Sequence, residues 1–276
     1  RIMSNDKTEP KKAFESEKFL HSRAGRPLRI LSEHLEPEAR FEQFGVSDTI
    51  VFFGSARFCS HDDAAAQLDA ARKEGGDVKA AENRLAMSRY YEAARELANR
   101  LTQWSKGLEG GSRRFVVCTG GGPGIMEAAN RGASEAKGLN IGLNISLPFE
   151  QNENHFLTRE LAFEFHYFFM RKFWFIYLAK ALAIFPGGFG TFDEFFEVMT
   201  LVQTRKVEKK MPIVVFGREF WSEVIDFQAL VRRGVLDGED LKLFKLTDSV
   251  DEAYRFITGE LIETALAEPG GRGELI

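Results

Sequence analysis

Apolar positions change their period several times along the chain. Up to about residue 22 they are sparse and aperiodic, and from 27 to 44 Leu28, Leu31, Leu35, Ala39 and Phe41 recur at helical spacing. A loose tail followed by a helix is predicted. The run Thr49-Ile50-Val51-Phe52-Phe53 is β-branched and aromatic, and it ends in Gly54-Ser55-Ala56-Arg57, as a buried strand entering a loop does. Residues 61–74 and about 80–106 return to a helical period with a Gly75-Gly76 break; Leu85, Met87, Tyr91, Ala94, Leu97 and Leu101 share one stripe of the second helix. The strand-loop-helix pattern then recurs. Residues 115–118 lead through Thr119-Gly120-Gly121-Gly122-Pro123-Gly124 into a helix over 125–137, and 139–147 read as a strand closed by Pro148. Residues 161–167 alternate like a strand and 170–180 read as a helix. Residues 181–185 run through Pro186-Gly187-Gly188-Phe189-Gly190-Thr191 into a helix ending near Gln203. A strand at 212–216, one helix over 219–232, a strand at 243–246 and a helix over 249–266 complete the series.

Strands alternating with helices at this spacing predict an α/β fold. It is a Rossmann-like, largely parallel sheet with helices on both faces, preceded by an N-terminal helical extension. No linker or internal repeat interrupts it, so residues 1–47 are read as tail and helix and 48–276 as one Rossmann-like domain.

Composition narrows the class. The 276 residues are 44% hydrophobic and 28% charged, enough for a substantial core. The longest apolar runs fall far short of the roughly 20 residues a membrane-spanning helix needs, and the first thirty residues carry Lys7, Lys11, Lys12, Glu15, Glu17 and Lys18 instead of an apolar export signal. Cys59 and Cys118 lack Cys-x-x-Cys spacing and read as buried free thiols. A cytoplasmic protein is expected. A net charge of −4 argues against a nucleic-acid partner, and a membrane partner is not expected either. Small molecules are left as ligands.

In a parallel α/β sheet, the loops after the strands share one edge. The following helices present free N–H groups and positive dipole ends there. In the loop 119–124, three consecutive glycines let backbone amides approach an anion, and Thr119 adds a hydroxyl donor. The loop has neither the Gly-Lys-Ser/Thr ending of a triphosphate loop nor dinucleotide Gly-x-Gly-x-x-Gly spacing, so a phosphate is expected but a triphosphate or NAD is disfavoured. The second loop, 186–191, is followed by Phe192-Asp193-Glu194. Glu194 is expected in the first helical turn, ionised by the dipole and aimed at the loop, with Asp193 competing for the same role.

These motifs resemble those of the LOG (Lonely Guy) cytokinin riboside 5′-monophosphate phosphoribohydrolases and related bacterial nucleotide 5′-monophosphate nucleosidases, long mislabelled lysine decarboxylases. The resemblance covers about residues 48–217. It is carried by Gly54-Ser55-Ala56, by the run from Gly120 to Ala129, by Arg171-Lys172 and most specifically by the run from Pro186 to Glu194. It implies that Arg171 and Glu194 are catalytic. The implied substrate-binding set is Gly54, Ser55, Thr119, Gly120, Gly121, Gly122, Gly124, Glu127, Lys172, Gly187, Gly188, Gly190 and Thr191. Plant-type members read Met-His-x-Arg-Lys where this chain has Phe168-Phe169-Met170-Arg171-Lys172; the histidine is absent, and a cytokinin role does not follow.

The implied reaction is hydrolysis of a nucleoside 5′-monophosphate, such as AMP, to free base and ribose 5-phosphate. No cofactor is called for, and His21, His34, His61, His155 and His166 show no metal-ligand pairing. A non-catalytic nucleotide carrier is the alternative from another class. A pyridoxal-dependent decarboxylase would need a Schiff-base lysine, and nothing beside Lys172 or Lys180 singles either out. The 26 phenylalanines crowd around 163–175 and 185–196, and the helix after Arg171 is apolar nearly all round. Such a helix must be buried on more than one side. A homodimer or larger homo-oligomer using residues 163–175 is therefore expected, against the alternative that the helix near 28–41 packs over this stripe within one chain.

Overall fold

Strands that are almost wholly apolar must be covered on both faces, and β1 (Thr49–Phe53), with Thr49 as its one polar residue, is buried at all five positions. The computed structural model describes residues 11–108, 113–147 and 154–266. After α1 (Glu17–Leu20) and α2 (Arg26–Gln43) come β1, α3 (His61–Glu74), α4 (Val78–Lys106), β2 (Val116–Thr119), α5 (Ile125–Glu135) and β3 (Asn140–Ile145). Next are β4 (Ala162–Phe165), α6 (Phe168–Tyr177), β5 (Ala179–Ile184), α7 (Phe189–Gln203) and β6 (Ile213–Phe216). The last are α8 (Arg218–Val224), α9 (Phe227–Arg232), β7 (Lys245–Thr247) and α10 (Val250–Thr264). Pro148, expected to close β3, lies outside the described residues, as do 1–10 and 267–276.

All seven strands are parallel, in the order β4-β3-β2-β1-β5-β6-β7. The chain therefore starts at the centre, winds outward to β4, returns to lay β5 on the other side of β1, and winds outward again. This is the Rossmann-like α/β architecture. The alternation of side chains along β1 divides the core in two. Ile50 and Phe52 pack with α4, α5 and α10, whereas Val51 and Phe53 pack with α2, α6, α7 and Trp221 of α8. No helix among the described residues is long and apolar enough to cross a membrane.

Local chemistry explains the breaks. Ser60 caps α3 by accepting from Asp63 N, and Gly75 ends it at φ +75°, the left-handed position that favours glycine. Asp77 restarts the chain as α4 by accepting from Ala80 N. Three elements and one thiol differ from the sequence reading. The helix expected over 219–232 is two, because the chain leaves helical geometry at Ile225 and Asp226 caps a new helix by accepting from Ala229 N. Lys180, read as the end of a helix, lies in β5. Residues 17–20, read as tail, form a turn of helix capped by Ser16. Cys118 is buried, but Cys59 is only half-buried.

The apolar helix α6 is covered from within the chain. Trp174 Nε1 donates to the Glu33 carbonyl at 2.9 Å, the His34 ring lies 5.2 Å from Phe173 and 5.8 Å from Trp174, and Phe41 lies 5.4 Å from Trp174. On this stripe α2 takes the place that the sequence reading had given to a second subunit. Phe168 and Phe169, at the start of α6, stay 51% and 52% exposed.

Helices α4 and α5 meet at Gly132, where an added Cβ would lie 2.0 Å from the Arg95 carbonyl oxygen. Gly132→Ala should push them apart and lower stability by about 1–3 kcal/mol. Gly259→Ala in α10, where no atom lies within 4 Å, should instead stabilise by about 0.5–1 kcal/mol. Urea denaturation of both variants checks the pair; an unchanged Gly132→Ala protein would show that the α4–α5 spacing is slack.

Candidate functional site

The strand order places the ends of β2, β1 and β5 side by side, at the point where the winding reverses and a crevice opens outside the carboxyl ends of the strands. Backbone hydrogen bonds stitch the three loops together. Ser55 N donates to Pro186 O at 2.9 Å, and Ile125 N donates to Ser55 O at 3.0 Å. Close approach explains two glycines. A Cβ on Gly54 would lie 2.7 Å from the Ile125 side chain, and one on Gly124, at φ +73°, would lie 2.2 Å from Ser55 O. Helices α5 and α7 begin at this edge, so their first amides face the crevice.

The β2 loop is braced from beneath by asparagines. Thr119 Oγ1 donates to Asn130 Oδ1 at 2.7 Å and accepts from Gly121 N at 2.9 Å, so the hydroxyl expected to serve an anion is spent inside the loop. Asn154 Nδ2 donates to Asn130 Oδ1 and Gly122 O, and the Asn144 amide nitrogen, in the orientation that satisfies it, donates to Gly120 O and Gly121 O. Gly121 sits at φ +72°, where a Cβ would strike the Asn144 amide. Glu127, in the first turn of α5, accepts from the Tyr91 hydroxyl at 2.7 Å. Sequence reasoning missed Asn130, Asn144, Asn154 and Tyr91. One signal was available for Asn130: a polar residue among Ala128, Ala129 and Ala133 on the buried face of α5.

In the third loop, a Cβ on Gly187 would lie 2.1 Å from Thr191 Oγ1, which makes Thr191 a buried brace for the loop. Gly188, the extended N-cap of α7, and Gly190 face open space on either side of Phe189, which is 95% exposed.

The two candidate catalytic groups meet under these loops. Arg171 Nη2 donates to Glu194 Oε1 at 3.4 Å, with the side chains 12% and 14% exposed. A Cβ on Gly120 would lie 3.7 Å from Arg171 Nη1, so the guanidinium borders the β2 loop directly. It also lies 5.2 Å from the ring centre of Phe168 and 5.5 Å from that of Phe175, while Nε is buried without an acceptor among the described residues. Burial pushes Arg171 below its ordinary value, opposed by Glu194 and then Asp193. Lys172 binds the neighbouring acids instead, at 2.7 Å to Asp193 and 3.3 Å to Glu197.

The placement of Glu194 corrects the expectation. Helix α7 starts at Phe189 and has no acid in its first turn, so Glu194 lies beyond the reach of the terminal dipole. Burial dominates and pushes its carboxyl up to about 7, with Arg171 and Lys172 opposing the rise and Asp193 and Glu197 adding to it. Asp193 is 55% exposed and held by Lys172, so it is Glu194 that faces the guanidinium.

A carboxyl that binds its proton more tightly when folded makes the protein most stable below the unfolded value of 4.5, and that contribution is lost as pH rises through about 7. Glu194→Gln abolishes this dependence. The stability of the variant relative to wild type should therefore climb by up to about 3 kcal/mol between pH 4.5 and 8. Denaturation at several pH values tests this, and a flat difference would show that Glu194 titrates normally.

Residues 126–257 match the family model described as possible lysine decarboxylase. Solved structures of similar chain path include that of TM1055, a structural-genomics target, at 20% identity over 77% of this chain and 99% of that one, with a TM-score of 0.47. Two others are a molybdenum cofactor binding protein from Rippkaea orientalis (15% identity, 77% and 96% coverage, TM-score 0.47) and the Moco carrier protein from Chlamydomonas reinhardtii (18%, 78% and 99%, TM-score 0.44). No curated protein matches the sequence. The family match takes in α5 from Met126, Arg171, Lys172 and the whole motif from Pro186 to Glu194, so that this part of the chain is similar to the possible lysine decarboxylase family, that is, the LOG family.

Proposed function

We propose that this protein hydrolyses the N-glycosidic bond of nucleoside 5′-monophosphates, with AMP the representative substrate. The observation that carries the reading is the buried Arg171–Glu194 pair, set 3.4 Å apart beside Gly120 where three glycine-containing loops converge. The amides that open α5 and α7 hold the phosphate. Breaking the C1′–N bond passes through a cation-like sugar, which a neighbouring carboxylate stabilises. Glu194 takes a proton from the attacking water as oxygen bonds to C1′, and the bond electrons leave with the base, which is then protonated. Arg171 stays protonated and offsets the negative charge developing on the base or holds the phosphate. Glu194 must be ionised to act, so kcat/KM should rise with pH through about 7 and then level.

The decarboxylation in the family's description finds no support at the lysines. A Schiff base needs a neutral amine, yet Asp193 and Glu197 outweigh the effect of burial and raise Lys172 above its ordinary value. Lys180 lies near the start of β5, 3.9 Å from Asp48 and at the opposite end of the strand from the loops.

Incubation with AMP, GMP, CMP and UMP should release ribose 5-phosphate, and adenosine should be cleaved far more slowly than AMP. Comparable turnover of the two would remove the phosphate role from the loops. Glu194→Gln should keep most of the AMP affinity and lose about 10²–10⁴-fold in kcat. Binding without turnover in the wild type would favour a nucleotide carrier, which needs the loops but not the pair.

We also propose a homodimer or larger assembly, on the strength of the exposed Phe168 and Phe169 of α6 and the exposed Leu28, Leu31 and Leu35 of α2, the helix that packs on it. Light scattering at micromolar concentration should give a mass of at least twice 31.2 kDa; an active monomer would refute the interface.

A further inference from the structure

The helix that carries Arg171 lacks partners of its own at both ends. Tyr167, the N-cap of α6, makes no side-chain cap, and the helix has no acid in its first turn and no base in its last. Other elements supply what is missing. From α2, Glu33 Oε1 accepts from His166 N at 2.8 Å and Oε2 accepts from Tyr167 N at 3.2 Å. Beyond α7, Lys209 Nζ donates to Ile176 O at 2.6 Å and Tyr177 O at 3.0 Å. The carboxylate at the start complements the helix dipole, while Lys209, whose amine burial and then Lys180 push down to about 7 against Asp48, serves the end as a hydrogen-bond donor.

Glu33 does more than cap. Its backbone carbonyl accepts from Trp174 Nε1, so one residue grips α6 in two places about two turns apart. The grip leads to the site by a short path. Tyr167, whose N–H is held by Glu33, offers its carbonyl to Arg171 N at 3.2 Å, and Arg171 reaches Glu194 at 3.4 Å. We propose that Glu33 is a positioning residue for the reaction: through Tyr167 and the first turn of α6 it sets the guanidinium of Arg171 against Glu194. The N-terminal helix is on this view part of the working site although none of its atoms touches substrate. The proposal rests on the hydrolase reading for its kinetic consequences and stands independently for the anchoring of α6.

Two variants test it in the full chain. Glu33→Gln keeps the shape but loses the charge at the helix start, and Glu33→Asp keeps the charge but cannot span both amides. Each should lower kcat on AMP by on the order of 10- to 100-fold with KM changed little, since displacement of a group by about an ångström costs that much. The acidic limb of kcat/KM should also move to higher pH, as Glu194 loses Arg171 while Lys172, Asp193 and Glu197 around it stay unchanged. Glu36→Gln, one turn along α2, where the carboxylate pairs with Arg40 at 2.7 Å, should leave kcat and the limb in place. Hydrogen exchange of the amides at 168–171 should quicken in Glu33→Gln and not in Glu36→Gln. A lower Tm with kcat, pH limb and exchange unaltered would overturn the proposal and reduce Glu33 to holding α2. If wild-type protein releases no ribose 5-phosphate, the hydrolase reading fails, and the exchange measurement still decides whether Glu33 anchors α6.

Discussion

A carboxyl and a guanidinium taken out of water together are the constraint around which the site is arranged. Removing either ion from water costs several kcal/mol, and only close, well-held geometry recovers the cost. At 3.4 Å, with Glu194 pushed up to about 7, Arg171 recovers it in part. The neighbouring elements follow from this. Helix α6 must be held firmly enough to keep the guanidinium in place, α7 must begin early enough to bury its sixth residue, and the β2 loop must give up side chains so that its backbone can lie against Arg171.

Holding three loops at one sheet edge is a matter of backbone, and this explains the placement of the glycines better than flexibility does. Gly54 and Gly124 let β1 and α5 touch through Ser55 and Ile125, and Gly187 leaves room for Thr191. The asparagines beneath the β2 loop perform the complementary task of satisfying the carbonyls that such a tight turn buries. A loop braced in this way presents its amides without having to reorganise.

How far this could be read from the residues depended on the distance over which each feature acts. The limits of β1 follow from a β-branched and aromatic run of five residues between Asp48 and Gly54, and the end of α3 follows from Gly75, because both signals are local. The split between α8 and α9 was hidden because apolar residues continue across Asp226, whose capping bond to Ala229 N is invisible to periodicity. Glu194 was expected in the first turn and ionised by the dipole, but it lies deeper in α7, where burial pushes its carboxyl up to about 7. The contact between Glu33 and the start of α6 spans 133 residues of sequence, and no pattern within either segment announces it.

Phe189 stands in an otherwise tightly specified loop with 95% of its surface in solvent, and the glycines on both sides of it meet no neighbouring atoms. Folding asks nothing of that side chain. Residues buried in the loop are bound by packing to keep their identity, whereas position 189 can change size, polarity or charge at little cost in stability. It is therefore a place where divergence within the family can alter what meets the mouth of the crevice while the machinery beneath stays as it is.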